Sequence, residues 1–510
     1  MLDIFRSFLY AANQSRILDR SCDTLAHHGR AGRDRRDPHP NGIRTARKVS
    51  AEISGKKGLT MDIILVPGLW LDGSSWDRVT PVLETAGHQV RPITLPGLES
   101  TDADRSSVTL RDQIDAVVAA IDACEKSPLV VGHSAACGIV HAAVDARPDK
   151  VVRAIHIGGF PTPDGRPVAG GFTPVGPDLV LPEWSEFDEA DLTDLDEQAL
   201  ARFRERAIPS PAALVTDKQT LSDPARYNVP VTAIAPEYTS AMLKEWVAAG
   251  EEPVSELARI REVEYLDLPT GHWPQFTRPG DLAELILGSV PLTAKQFAES
   301  DGVGDWRLHG QGFGAFFRTT GFSQGAAFAA SLGDLGDQGN GRLDVDLRAE
   351  GVQVTLSHWF SFMIARDVRT AREITSRATN AGLVADPSQV RGIQISIDAA
   401  DITGILPFWE AVLGYRIRVD EDVDDPLRIL PSFWFQEMDP PRTERNRIHI
   451  DVYAPYDEIQ DRIDKAVAAG GTVVNDKHAP FWWTLADKEG NEVDVCGGYG
   501  REEAWGFVPN

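Results

Sequence analysis

The stretch Leu129-Val130-Val131-Gly132-His133-Ser134-Ala135-Ala136 constrains this chain more than any other. Three apolar residues that read as a buried strand run into Gly-His-Ser-Ala-Ala. An apolar, alanine-rich helix is expected from about Ala135 to Ala146. Strand, sharp turn, helix is the setting of a nucleophile elbow, in which a serine stands at the tip of a strained turn. Such a turn needs small residues two places before and two after the serine. Gly132 and Ala136 meet that demand, with alanine in place of the usual second glycine. A helix beginning right after Ser134 also aims free backbone N–H groups at charge developing there.

The flanking sequence supplies the rest of a sheet. Met61 to Trp70 is an apolar run ending in a glycine turn, followed by a helix with Trp76, Val79, Val82 and Leu83 on one side. Strands are predicted at Gln89–Leu95, Val151–Ile157, Val231–Ala235 and Val263–Leu268, and a helix over Thr109–Cys124. Strands alternating with helical segments predict a parallel sheet with helices on both faces. His272 lies just beyond the last of these strands and Glu237 just beyond the one before. The order is serine, acid, histidine. A serine hydroxyl is a weak nucleophile until a neighbouring imidazole takes its proton. Glu237 is the expected acid, and Asp164, after the preceding strand, is its rival.

On these residues, about 61–290 resembles the α/β-hydrolase family: the loop Val66-Pro67-Gly68-Leu69, the elbow and the histidine loop carry the likeness. The resemblance implies a doubly wound, mostly parallel sheet. It also implies Ser134 as nucleophile, His272 as general base, and the backbone N–H groups of Leu69 and Ala135 as the oxyanion site. Leu181 to Ala207, rich in Glu and Asp with Trp184, Phe187, Leu192, Leu195, Leu200 and Phe203 interspersed, reads as part of a small helical cap over about 181–225. Trp70, Trp76 and Trp273 suggest an apolar pocket.

A chain of 510 residues exceeds one core and predicts about three domains. Its net charge of −25 speaks against nucleic acid as a partner. Residues 1–60 run the other way, with 12 Lys and Arg against 6 Asp and Glu. They lack an apolar period and are expected to be a disordered basic extension. No stretch is long and apolar enough to span a membrane. Cys22, Cys124, Cys137 and Cys496 are scattered without zinc or disulfide spacing, which suits a reducing cytoplasm. A small-molecule substrate is expected, with no cofactor for the hydrolase; the oligomeric state is not readable.

After Val290-Pro291, residues 292–385 predict a hairpin (Trp306–Arg318), a helix (Phe322–Leu335), two strands (Asp344–Arg348 and Val352–His358) and a closing helix (Asp367–Ala381). With Asp344-Val345-Asp346-Leu347-Arg348, Ser357-His358 and Arg366-Asp367, this resembles pterin-4a-carbinolamine dehydratase, an α+β fold that uses a histidine cluster as acid and base. Gly341-Arg342-Leu343 stands where that family has His-His-Pro, and Trp359-Phe360-Ser361-Phe362 replaces its glycine-rich loop. His358 remains, beside Arg342, so the site is expected to be degenerate.

Residues 390–500 carry an internal repeat. Ile393–Asp398 leads to Phe408–Gly414, and Ile448–Val452 leads to a helix ending Ala469-Gly470-Gly471. The halves close with Phe433-Trp434-Phe435 and with Asn491–Val495. This is similar to the vicinal-oxygen-chelate (glyoxalase-like) family, two βαβββ modules forming a cupped sheet. Its metal positions fall here on Gln394, Gln436 or Glu437, His449 and Asp494. One histidine and one carboxylate make a weak metal set, so metal-free binding is expected.

The sequence thus predicts a multidomain serine hydrolase for small apolar esters, with degenerate dehydratase-like and glyoxalase-like domains behind it. The alternatives are 4a-hydroxytetrahydrobiopterin dehydratase and a non-catalytic small-molecule-binding protein. Because residues 1–60 offer little apolar surface to bury, a chain begun at Met61 should keep its melting temperature and ester turnover. Insoluble protein after that truncation would contradict the reading.

Overall fold

The computed structural model describes residues 60–497 except 311, 339–341, 359–361, 420, 439–447 and 487–491. The expected basic extension up to residue 59, and Gly341, Trp359, Phe360, Ser361 and Asn491, lie outside the described residues. The chain divides into two compact units between Leu287 and Gly288.

In the first unit, strands β1 (Asp62–Val66), β2 (Gln89–Pro92), β3 (Leu129–His133) and β4 (Arg153–Ile157) precede a two-stranded pair, β5 (Asp178–Leu179) with β6 (Ser210–Pro211). Then come β7 (Val231–Ala235) and β8 (Val263–Asp267). The main sheet runs β2-β1-β3-β4-β7-β8, and every pairing in it is parallel. Every residue of β1, β3, β4 and β7 is buried, as a parallel sheet covered on both faces requires. The chain leaves β1 for β2 on one side and returns to β3 on the other. The order therefore reverses between β1 and β3, where open α/β sheets form a crevice at their carboxyl ends.

The connecting helices follow from local chemistry. Leu110–Asp122 starts from a capping box between Thr109 and Asp112. Leu110, Ile114, Val117, Val118 and Ile121 are buried at helical spacing, giving the helix one apolar face. The single helix expected after Trp70 is instead a 3-10 turn, Gly73–Trp76, and a short helix, Thr80–Thr85, that begins with Pro81 in its first turn. The segment expected as a helical cap also follows from its residues. It holds one ten-residue helix, Glu197–Arg206, capped by Asp196, and a four-residue turn of helix, Ala213–Thr216. The rest is turns and the β5–β6 pair. Pro182, Pro209, Pro211 and Pro224 punctuate the segment and keep longer helices from forming.

The second unit contains a short pair, β9 (Pro291–Leu292) with β14 (Met363–Ile364), and two larger sheets. The first is built from β10 (Arg307–His309), β11 (Gly312–Arg318), β12 (Leu343–Arg348) and β13 (Gly351–Ser357) in the order β10-β11-β13-β12, with β15 (Val384–Ala385) paired to β11. It is antiparallel throughout its pairs. The amphipathic helix Ala365–Asn380 buries Val368, Ala371, Ile374 and Ala378. The helix expected over Phe322–Leu335 is two, Phe322–Ala330 and Gly333–Gln338. Ser331 turns its hydroxyl back to the Phe328 carbonyl at 2.6 Å where they break.

The second large sheet has eight strands. They are β16 (Gly392–Ala399), β17 (Arg416–Val419), β18 (Asp422–Asp424), β19 (Ser432–Glu437), β20 (Ile448–Tyr453), β21 (Thr472–Asn475), β22 (Trp482–Ala486) and β23 (Glu492–Cys496). Their order is β17-β18-β19-β16-β20-β23-β22-β21. The expected repeat is visible as topology: each half is strand, helix, three strands, and the halves join where β16 and β20 pair antiparallel. Each half has its own small core. Ile397, Leu406, Tyr415, Val423 and Phe435 form one, and Ala454, Ile459, Ile463, Leu485 and Val495 the other.

Phe435 is fully buried in the first of these cores. Phe435→Ala should destabilise this unit by about 3–5 kcal/mol through lost burial and a residual cavity. Denaturant unfolding measures it, and a change below about 1 kcal/mol would mean that this half-sheet is not packed as described.

Candidate active site

The loops at the carboxyl ends of β1, β3, β4, β7 and β8 meet at Ser134. The serine follows β3 directly and has φ of 56°, the left-handed region that side chains other than glycine rarely adopt. Its amide is fixed on the Ile157 carbonyl at 2.8 Å, at the end of the neighbouring strand β4. Glycines give the turn its room. A Cβ on Gly132 would lie 2.9 Å from the Ala136 carbonyl oxygen, and one on Gly159 only 2.3 Å from that of Ser134. Helix Ala136–Ala146 leads away from the turn.

The structure brings Ser134, His272 and Glu237 into one hydrogen-bonded line. His272 Nε2 lies 2.8 Å from Ser134 Oγ, and His272 Nδ1 lies 2.8 Å from Glu237 Oε1. All three side chains are largely buried. Asp164, the rival acid, instead accepts the Leu221 amide at 2.8 Å. Burial works to lower the pKa of His272. The Glu237 charge, its hydrogen bond and the Asp191 charge outweigh it, and the imidazole is held above its ordinary value. The amides of Leu69 and Ala135, which flank the serine after β1 and at the start of the helix, have no acceptor among the described residues.

Sequence reasoning missed three supports. His133 donates from Nε2 to the His272 carbonyl oxygen at 2.7 Å, and burial pushes its pKa down to about 3, so it stays neutral. Its place immediately before Ser134 was the available signal. The second support is the cap. His272 N donates to Asp191 O at 2.8 Å, Gly271 N to Thr193 O at 3.2 Å, and Ile208 N to Trp70 O at 3.0 Å. The Trp70 amide also reaches Ser210 Oγ at 2.9 Å. The cap is thus sewn to both the Leu69 loop and the histidine loop. The third is an aromatic cluster: Phe187 meets Trp70 and Trp273 at ring centroids 6.0 and 5.7 Å apart, and Phe203 meets Trp273 at 5.0 Å. Trp70, Trp76 and Trp273 were expected beside a pocket; Trp70 and Trp273 join this cluster, while Trp76 is fully buried.

Asp191, Glu237 and His272 bring ligand-type atoms within 4.8 Å of one another. Both nitrogens of His272 lie at hydrogen-bond distance from Ser134 and Glu237.

In the second unit, His358 Nε2 lies 2.7 Å from Asp367 Oδ2, and the same oxygen accepts the Ile364 amide at 2.7 Å. Burial works to raise the Asp367 carboxyl, but His358 and Arg342 beside it hold it below its usual range. Arg342 and His358 thus both act on the buried Asp367 carboxylate.

In the eight-stranded sheet, Gln394 donates to Ser432 Oγ at 3.1 Å and accepts from the Tyr453 hydroxyl at 3.3 Å, while Gln436 pairs with Asp398. Glu437 is exposed. His449 and Asp494 do meet, at 3.6 Å, and Asp451 joins them at 3.5 Å from the same imidazole nitrogen. Burial opposes charge on His449, yet Asp494, Asp451 and Asp398 hold its pKa above the ordinary value. His449, Asp451 and Asp494 also bring ligand-type atoms within 4.8 Å of one another.

Comparison with known proteins agrees with this division. The model of the alpha/beta hydrolase family matches residues 63–285, and that of a glyoxalase-like domain matches residues 394–496. A pyrethroid hydrolase of Sphingobium wenxiniae is 26% identical over 270 residues, which span 47% of this chain and 92% of that protein. Among solved structures, an extracellular alpha/beta-hydrolase from a Paenibacillus species is 18% identical with a TM-score of 0.35, covering 44% of this chain and 98% of its own. A methylesterase from Arabidopsis is 17% identical with a TM-score of 0.36, covering 45% and 98%. Residues 63–285 are thus similar to alpha/beta hydrolases, a pyrethroid hydrolase among them, and residues 394–496 to a glyoxalase-like domain.

Proposed function

We propose that the protein is a serine hydrolase that cleaves small apolar esters or related acyl compounds. The observation that carries this reading is the unbroken hydrogen-bonded line from Ser134 through His272 to Glu237. Ser134 Oγ attacks the carbonyl carbon while His272 Nε2 takes its proton. Glu237 holds the Nδ1 proton and stabilises the imidazolium. The Leu69 and Ala135 amides receive the oxyanion. His272 then delivers the proton to the departing alcohol, and water, activated by the same imidazole, releases the acyl group from Ser134. The similarity to a protein named as a pyrethroid hydrolase supports ester cleavage, and the aromatic cluster supports an apolar acyl or alcohol group. The scattered free cysteines suit a cytoplasmic setting.

Ser134→Ala should lower p-nitrophenyl ester turnover by about three orders of magnitude or more. Glu237→Gln should cost about 10²–10⁴-fold. Asp164→Asn should be near wild type. A dead Asp164→Asn beside a fully active Glu237→Gln would show that the acid is misassigned.

We further propose that the middle domain does not act as a pterin dehydratase and that the glyoxalase-like domain works without a metal. Dehydration needs proton removal and delivery at two positions. A guanidinium cannot serve as the base, which leaves His358, paired with Asp367, as a single acid–base group. Dehydration of 4a-hydroxytetrahydropterin should therefore run near its spontaneous rate and be indifferent to His358→Ala. Strong turnover lost in that variant would make dehydration the correct activity.

A further inference from the structure

Asp191 touches the histidine loop twice. Its backbone oxygen accepts the His272 amide at 2.8 Å. A methyl on the adjacent Gly271 would lie 2.4 Å from that oxygen and 2.5 Å from Thr193 O, so only glycine lets the cap lie on this loop. Its half-buried carboxyl also comes within 4.8 Å of both a His272 ring nitrogen and the Glu237 carboxylate. Asp191 Oδ2 accepts the Asp188 amide at 3.3 Å, which steadies the side chain.

From this placement we infer that Asp191 is a positioning residue: a second carboxylate, carried by the cap, that stabilises the His272 imidazolium formed when Ser134 loses its proton. The inference rests on the roles proposed above for Ser134, His272 and Glu237. It makes the cap part of the proton relay. A cap lifted from the histidine loop takes a backbone acceptor and a negative charge away from the base together.

The other groups around the imidazole leave this role to a carboxylate. Glu237 already holds Nδ1. His133, its ring 5.1 Å from that of His272, is kept neutral by burial. Cys137 and Tyr238, which face Glu237, are pushed up by burial and stay uncharged. Asp194 lies 3.6 Å from Arg278. Asp188 stands beside Asp191, and its Oδ2 is buried without a hydrogen bond among the described residues. Burial, helped by the charges of Glu237 and Asp188 and opposed by His272, pushes the Asp191 carboxyl up to about 6. It is charged above that pH and neutral below it.

The sign of the effect follows. A charged Asp191 favours protonated His272, so the acid limb of kcat/KM lies higher with it than without it. In the full chain, with p-nitrophenyl acetate as substrate, Asp191→Asn should move that limb down by about one pH unit and lower the plateau rate severalfold. Asp191→Ser should move it the same way, which keeps the test open if one variant fails to fold. Asp191→Glu should restore the wild-type limb. A limb unmoved in both neutral variants, with turnover still abolished by Ser134→Ala, overturns this inference alone and leaves Asp191 a purely backbone support. Turnover that survives Ser134→Ala overturns the relay and the inference with it.

Discussion

The hydrolase unit depends on one strained residue. Ser134 sits at the end of β3 with a left-handed backbone, a conformation that costs a residue with a side chain about 1–3 kcal/mol. That geometry lifts its hydroxyl out of the sheet toward His272 instead of leaving it within the strand. The surroundings hold the strain in place. The Ser134 amide is tied to Ile157, and the Ser134 carbonyl accepts the Cys137 amide at 3.0 Å. Gly132, Gly159 and Gly68 clear space for the turn, since a Cβ at Gly68 would come within 3.0 Å of Ser134 Cβ. Four buried parallel strands provide the rigid floor. With the serine fixed, the reversal of strand order between β1 and β3 puts the Gly68 turn beside it, and the ends of β7 and β8 deliver Glu237 and His272.

Much of this could be read from the residues because the signals were local. Apolar runs ending in glycine turns marked β1 and β3, and β7 was placed to the residue. The elbow identified itself through the small residues around Ser134. The acid was harder. Glu237 and Asp164 both follow strands, and only the three-dimensional path shows that Asp164 turns to Leu221 while Glu237 reaches His272. The cap defeated the reading in a different way. Its spaced aromatics suggested helices, but prolines break the segment, and its order comes from hydrogen bonds to distant loops. Contacts such as Gly271 to Thr193 and Trp70 to Ser210 span scores of residues and leave no periodic trace. The same reason hid Asp191, one acid among many in a segment rich in Glu and Asp.

The second unit shows the converse. Its eight-stranded sheet was expected from a faint repeat, and the two halves match strand for strand about the β16–β20 pairing. What the residues could not show was how the polar side chains of this sheet pair. Ser396 donates to Asp451 at 2.8 Å, and Gln394 is occupied by Ser432 and Tyr453. Beside them one imidazole, that of His449, faces the carboxylates of Asp451 and Asp494. In the neighbouring sheet His358 is likewise tied to Asp367. His358 is buried and His449 half-buried, and each stands beside acids that shape its electrostatics.

The central claim is that Ser134 is an activated nucleophile. Fluorophosphonate treatment of the full chain, followed by peptide mass spectrometry, tests it most directly, because the reagent phosphonylates a serine only where a neighbouring base has raised its reactivity. One stoichiometric adduct is expected, on the peptide that carries Ser134, and it should disappear when His272 is replaced by Ala. Absence of the adduct, or its persistence without the His272 imidazole, would contradict the account.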